Sequence, residues 1–292
     1  LSVASRGTQA LQLADGRRLA YCERGPADAP AVVVFHGLPG SRFQQAPEVE
    51  GRPAPPARLV HFDRPGFGLS DPRPGGSLLD VADDVARLAD HLGLERFRVL
   101  GVSGGGPFAL ACAARLGERV AAVAVAAGVG LPGSHATAAR ADIRFAFRTA
   151  RVLPAVLALP FGVLARLARR HPARYLDTFR ASLLEVDRAV VDAPGRSAML
   201  LADAQESVRQ GTAALIADLR RLTRPWPFHP AAVRCPAGFW YGSADPVVPV
   251  AAGRALAGAV AGARFEVLDG AGHFFVLERW PEILAWLLRA GG

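Results

Sequence analysis

Val99-Leu100-Gly101-Val102-Ser103-Gly104-Gly105-Gly106-Pro107-Phe108-Ala109-Leu110 reads as a buried strand that runs straight into a helix. Arg98-Val99-Leu100 is the apolar end of the strand, and Phe108 to Leu116 is an Ala/Leu-rich stretch with high helix propensity. Gly101, Ser103 and Gly105 form Gly-x-Ser-x-Gly between them. A strand that reverses into a helix within a few residues forces its central residue into a strained conformation. The neighbours two positions away then pack too closely for a side chain. The Ser103 hydroxyl is left at the carboxyl edge of a sheet. The Gly104 amide sits at the positive end of a new helix, where an oxyanion is stabilised.

The text before this stretch is strand text. Thr8 to Ala14 and Arg18 to Glu23 flank Asp15-Gly16, a hairpin signal. Ala31-Val32-Val33-Val34-Phe35 is continuously apolar, as a strand covered on both faces requires. It ends at His36-Gly37-Leu38-Pro39-Gly40-Ser41, where the Leu38 amide can serve as a second oxyanion donor beside that of Gly104. His36 and Gly37 read as support for that loop, with His36 a hydrogen-bonding residue and not a base. Gln44 to Ala57 is Pro-rich and predicts a short helix and a loop. Arg58 to Phe62 is the next strand, followed by the rigid loop Asp63-Arg64-Pro65-Gly66-Phe67-Gly68-Leu69-Ser70-Asp71. Asp63 and Arg64 read as ion-pairing and loop-capping residues. Leu78 to Leu92 predicts an amphipathic helix with Ser77 as N-cap.

Past Ser103, Arg119 to Ala127 is another strand. The alternation of apolar strand and amphipathic helix predicts a mostly parallel sheet with helices on both faces. In such a sheet, ligands bind at the carboxyl ends of the strands. The rhythm breaks at Leu131, and from His135 to about Thr223 the text is helical. Pro154, Pro160, Pro172 and Pro194 punctuate it into about four helices, with Arg196 to Leu222 as one long helix. An insertion after a strand's carboxyl end lies over the active edge as a lid. Phe145, Phe147, Leu153, Phe161 and Leu164 are candidates for a substrate pocket. Ala237 to Tyr241 resumes the strands and leads into Gly242-Ser243-Ala244-Asp245, before a helix from Val250. Arg264 to Leu268 is the last strand, ending at Asp269-Gly270-Ala271-Gly272-His273. The final helix is expected from Pro281 to Arg289.

Ser103, Asp245 and His273 each follow a different strand on one edge. A serine hydroxyl needs a base to take its proton, and that base needs an anion to fix its tautomer. These residues can supply nucleophile, base and acid, in the chain order Ser, acid, His.

The motifs His36-Gly37, Asp63 to Asp71, Gly101-Val102-Ser103-Gly104-Gly105, Gly242 to Asp245 and Gly270-Ala271-Gly272-His273-Phe274 resemble the α/β-hydrolase superfamily. The resemblance is to its lid-bearing, peptidase-S33-like and cofactor-free perhydrolase-like members. It implies an α/β fold: a mostly parallel eight-stranded sheet with helices on both faces and an inserted all-helical lid. Residues 1–130 and 226–292 would be the core and 131–225 the cap. It implies catalysis by Ser103, Asp245 and His273, with an oxyanion hole at the Leu38 and Gly104 amides. Members with an Asp nucleophile are disfavoured by Ser103, and Ala126 to Gly130 offers no alternative acid. The implied activity is that of an esterase-like serine hydrolase acting on an ester, thioester, lactone or amide of a small, largely apolar substrate. Perhydrolase, lyase, cyclase or carbon–carbon chemistry on the same triad is the alternative, and a ligand-binding receptor with a retained triad is a third.

Of the 292 residues 51% are hydrophobic and 21% charged, which excludes a disordered chain. The net charge of +8 is carried by arginine alone, spread along the chain with a modest concentration in the middle third, so no nucleic-acid partner is expected. An arginine-rich stretch from Arg140 to Arg151 could dock an acidic carrier protein. Cys22, Cys112 and Cys235 show neither metal nor disulfide spacing. No cofactor and no metal are expected. With no apolar run long enough to span a bilayer and no secretory signal, a cytoplasmic monomer or homodimer without a membrane partner is expected.

Overall fold

The computed structural model describes residues 7–44, 56–134, 138 and 140–292. The loop expected between Gln44 and Ala57 falls almost wholly outside them. Among the described residues one sheet has eight strands. These are β1 Thr8–Gln12, β2 Arg18–Arg24, β3 Ala31–Phe35, β4 Arg58–Phe62, β5 Phe97–Val102, β6 Val120–Ala126, β7 Ala237–Gly242 and β8 Arg264–Leu268. Their spatial order is β1-β2-β4-β3-β5-β6-β7-β8. The β1–β2 and β2–β4 pairs are antiparallel, and the rest of the sheet is parallel. The carboxyl ends of β3, β5, β6, β7 and β8 therefore share one edge.

Period-two alternation divides the apolar strand residues between two layers. Val33, Phe35, Val60, Phe62, Val99, Val123 and Val125 point into one cluster, with α1 Leu78–His91 and α2 Gly106–Leu116. Val32, Val34, Leu100, Val102, Ala122, Ala124 and Ala126 point into the other, against α10 Val276–Ala290. Helix α9, Val250–Gly258, packs with the first layer. Helix α1 starts in a capping box: Ser77 Oγ accepts the Asp80 N–H and the Asp80 carboxylate accepts the Ser77 N–H.

Six helices lie between β6 and β7 among the described residues: α3 Ala141–Val152, α4 Ala158–Arg170, α5 Pro172–Ala181, α6 Glu185–Asp192, α7 Arg196–Ser207 and α8 Ala213–Thr223. The sequence reading expected about four. The long helix expected from Arg196 to Leu222 is two, because the chain turns at Gly211 with φ +96°. Pro160 does not break α4. It is that helix's third residue, where a missing N–H removes no intrahelical bond. The last helix also differs. It begins at Val276, with Pro281 inside it. Val276, Leu277 and Trp280 are buried in the layer under the sheet, and that burial holds the turn ahead of the proline.

Candidate active site

Strand β5 passes into α2 through a single 3-10 turn, Ser103–Gly105, and Ser103 has φ +50°. A non-glycine residue there stores about 1–3 kcal/mol and persists only where the surroundings impose it. They do so by contact. A Cβ on Gly105 would lie 2.2 Å from the Phe35 carbonyl oxygen, and one on Gly101 would lie 2.6 Å from Gly106 Cα. Both flanking positions therefore require glycine. The Ser103 carbonyl accepts the Val129 N–H at 3.1 Å, which ties the turn to the end of β6.

His273 arrives from β8. Asp269 to Gly272 return the chain toward the edge, with Gly270 at φ +67°, and His273 opens a 3-10 turn. His273 Nε2 is 3.1 Å from Ser103 Oγ, and Nδ1 is 2.7 Å from Asp245 Oδ2. An ionised carboxylate only accepts, so Nδ1 carries a proton and Nε2 is left to receive that of the serine. Asp245 is held past the end of β7: its Oδ1 accepts the Val247 and Val248 N–H groups at 2.7 and 3.0 Å. Burial disfavours the His273 imidazolium. The Asp245 charge and hydrogen bond, with Asp187 beyond them, outweigh burial and raise its pKa above the ordinary histidine value.

The loop after β3 lies against the serine turn. A Cβ on Gly37 would be 3.5 Å from Ser103 Cβ, and one on Gly104 would be 2.7 Å from Leu38 Cβ and 3.5 Å from its nitrogen. The Leu38 backbone thus packs directly against Gly104, the residue after Ser103. The loop is clamped from several sides. Gly37 N–H donates to Gln44 Oε1 at 2.6 Å. His36 Nδ1 donates to the Gly37 carbonyl at 2.9 Å, and its Nε2 accepts the Arg64 N–H at 3.2 Å. Burial, then the Arg64 charge, hold its pKa well below the ordinary value, so this imidazole stays neutral. Arg64 also donates to the His36 and Gly37 carbonyls.

Several supporting residues escaped the sequence reading. Asp187 on α6 accepts the Phe274 N–H at 2.8 Å. Asp203 on α7 accepts the Ser41 N–H and hydroxyl at 2.7 and 2.6 Å, and burial pushes its carboxyl up to about 7. Asp218 on α8 pairs with Arg64 at 2.8 Å, and Arg42 pairs with Asp63 and Glu206. Asp63 and Arg64 are thus ion-pairing residues, as their loop suggested. A carboxylate inside an apolar helical run, as in Leu200-Leu201-Ala202-Asp203-Ala204, was the available signal.

A cavity of about 620 Å³ lies between this edge and the inserted helices, with Ser103 and His273 on its wall. Phe145, Phe147, Phe161 and Leu164 line it as expected, but Leu153 does not, because it projects outward and is 62% exposed. Among the described residues no cluster of side chains could hold a metal ion, and no helix is long and apolar enough to cross a membrane.

Comparison with known proteins agrees with this fold. The chain is 36% identical over 104 residues to a proline iminopeptidase of Xanthomonas citri, covering 34% of this chain and 33% of that protein. It is 32% identical over 95 residues to 3-oxoadipate enol-lactonase 1 of Acinetobacter baylyi, covering 32% and 35%. These matches span less than half the length of the curated relatives. Among solved structures, an alpha/beta hydrolase fold protein from Nakamurella multipartita superposes with TM-score 0.68 at 24% identity, over 98% of this chain and all of that one (100%). The enol-lactonase from Burkholderia xenovorans gives 0.68 at 22%, over 96% and 98%. A family model described as alpha/beta hydrolase fold matches residues 30–279, and the chain belongs to that family.

Proposed function

We propose that this protein is a serine hydrolase that cleaves an ester, thioester, lactone or amide of a largely apolar substrate through an acyl-enzyme on Ser103. The observation that carries this reading is the relay Asp245–His273–Ser103, with contacts of 2.7 and 3.1 Å ending at a serine of positive φ. Ser103 Oγ attacks the carbonyl as its proton passes to His273 Nε2. Asp245 stabilises the imidazolium that results. The Leu38 and Gly104 N–H groups receive the oxyanion. The loss of one such donor lowers turnover by roughly 100- to 1,000-fold. His273 then protonates the leaving group, which departs. Water, deprotonated by the same imidazole, attacks the acyl carbonyl and releases the acid.

In this reading residues 131–225 are a cap over a core of residues 1–130 and 226–292. The cap's apolar lining selects the substrate. An odd, widely spaced set of three cysteines suits a reducing compartment such as the cytoplasm. Covalent labelling by a fluorophosphonate tests the assignment. The wild type is labelled and turns over p-nitrophenyl esters, whereas Ser103→Ala does neither. Undiminished labelling of the variant would overturn the assignment of Ser103.

A further inference from the structure

The junction of α3 and α4 carries side chains that the fold does not use. Val152, Leu153, Val156, Leu159 and Val163 are all more than half exposed, with Leu159 reaching 78%. They fall together in sequence, at the end of α3, in the 3-10 turn Pro154–Leu157, and on the first turns of α4. Leu159 and Val163 are four residues apart and so share one helix face. Single exposed aliphatic residues are ordinary, but five at one corner mark a contact surface.

The charge around this corner identifies the contact. Residues 141–181 hold eight arginines and two aspartates. Arg148, Arg151, Arg166, Arg169 and Arg170 are exposed, and none of them forms an ion pair among the described residues. Along α4 the order is apolar first and basic after. Arg166 and Arg170 follow Val163 by about 5 and 11 Å at 1.5 Å per residue. Arg148 lies one turn behind Val152 on α3. An aliphatic tip with cations set back about 5–10 Å matches the depth profile of a bilayer interface, with acyl chains beneath and anionic headgroups above. An acidic protein partner would match the arginines but would leave the aliphatic tip without acyl chains.

We infer that the α3–α4 corner is a docking surface for an anionic phospholipid interface, into which Val152, Leu153, Val156, Leu159 and Val163 insert while the arginines meet the headgroups. The sequence reading expected no membrane partner. Surface docking departs from that expectation and needs no spanning helix. The same helices wall the cavity: Phe145 and Leu164 line it and are themselves exposed. A lipophilic ester can therefore pass from the interface to Ser103 without crossing water. That last step rests on the proposed hydrolytic reading, whereas the docking itself does not.

The test is co-sedimentation of the full chain with vesicles of phosphatidylcholine alone or mixed equally with phosphatidylglycerol. The wild type binds the mixed vesicles at least about tenfold more tightly than the neutral ones, and salt weakens this binding. The triple variant V152S/L159S/V163S loses about tenfold or more of the affinity while keeping its melting temperature and its turnover of a water-soluble short-chain ester. R148Q/R151Q/R166Q/R170Q loses the preference for anionic vesicles. Ser103→Ala binds vesicles like the wild type, so failed catalysis leaves this result unaffected. Absence of wild-type binding, or a triple variant that binds equally well, would overturn the inference. So would a dimer in sedimentation velocity that the triple variant abolishes, or tight binding to an acidic carrier protein with none to vesicles.

Discussion

Asp187, on the inserted helix α6, accepts the backbone N–H of Phe274 at 2.8 Å, and so the insertion grips the residue next to His273. The grip is close, since a Cβ on Gly272 would lie 2.3 Å from the Asp187 carboxylate. Asp187 also adds to the charge that raises the His273 pKa. Its two contributions separate by substitution. Asp187→Ala removes the acceptor and lets the histidine turn shift, which lowers kcat about tenfold or more. Asp187→Asn keeps an acceptor oxygen and removes the charge. Its plateau kcat stays near that of wild type while the acid limb of its pH profile moves to lower pH. Steady-state kinetics across pH on both variants makes the check. An acid limb in Asp187→Asn that coincides with that of wild type would mean that the charge has no part.

The raised His273 pKa fixes the direction of the pH dependence. The base must be neutral, and a raised pKa keeps it protonated to higher pH. Activity is therefore present above that pKa and lost as pH falls through it. The limb of kcat/KM is expected above the ordinary value of 6.5. Asp245→Asn removes the charge and hydrogen bond that raise it, so the limb moves toward acid while kcat falls roughly 10⁴-fold. A wild-type limb below 6.5 contradicts the account.

Arg64 and Asp218 pair with side chains 0% and 1% exposed, and Arg64 also holds the His36 and Gly37 carbonyls. Removal of one partner strands a buried charge. Asp218→Ala is expected to lose about 3–5 kcal/mol in urea unfolding. It also lowers kcat, because the loop bearing the Leu38 amide loses its clamp. A loss of stability with full activity would separate the ion pair from the site.

Phe161 reaches the cavity from α4. Phe161→Trp fills space there and raises KM about tenfold for long-chain esters, with little change for an acetate ester. A graded series of p-nitrophenyl esters reads this directly. A uniform change across chain lengths would place the acyl group elsewhere.

Most of the sheet and the meeting of Ser103, Asp245 and His273 were legible because their signals are local. Ala31 to Phe35 is apolar throughout, as a doubly covered strand must be, and Gly101 and Gly105 bracket a turn with no room for side chains. Asp187, Asp203 and Asp218 were not legible, because each acts on a partner far along the chain that only the packed insertion brings near. Asp203 and Ser41 are 162 residues apart. Pro281 misled for a related reason. Its ring suits a helix start, but the burial of Leu277 and Trp280 sustains a helical turn before it. Gly211 was a visible breaker inside an otherwise helical run, and its φ of +96° accounts for the two helices found there.

The central claim is that an acyl group rests on Ser103 during turnover. Acid-quenched mass spectrometry of the protein during hydrolysis of a p-nitrophenyl ester tests it most directly. The account predicts the mass of the acyl group on the peptide bearing Ser103, and its absence in His273→Ala. Continued turnover with Ser103 unmodified throughout, or an acyl group on another residue, would contradict it.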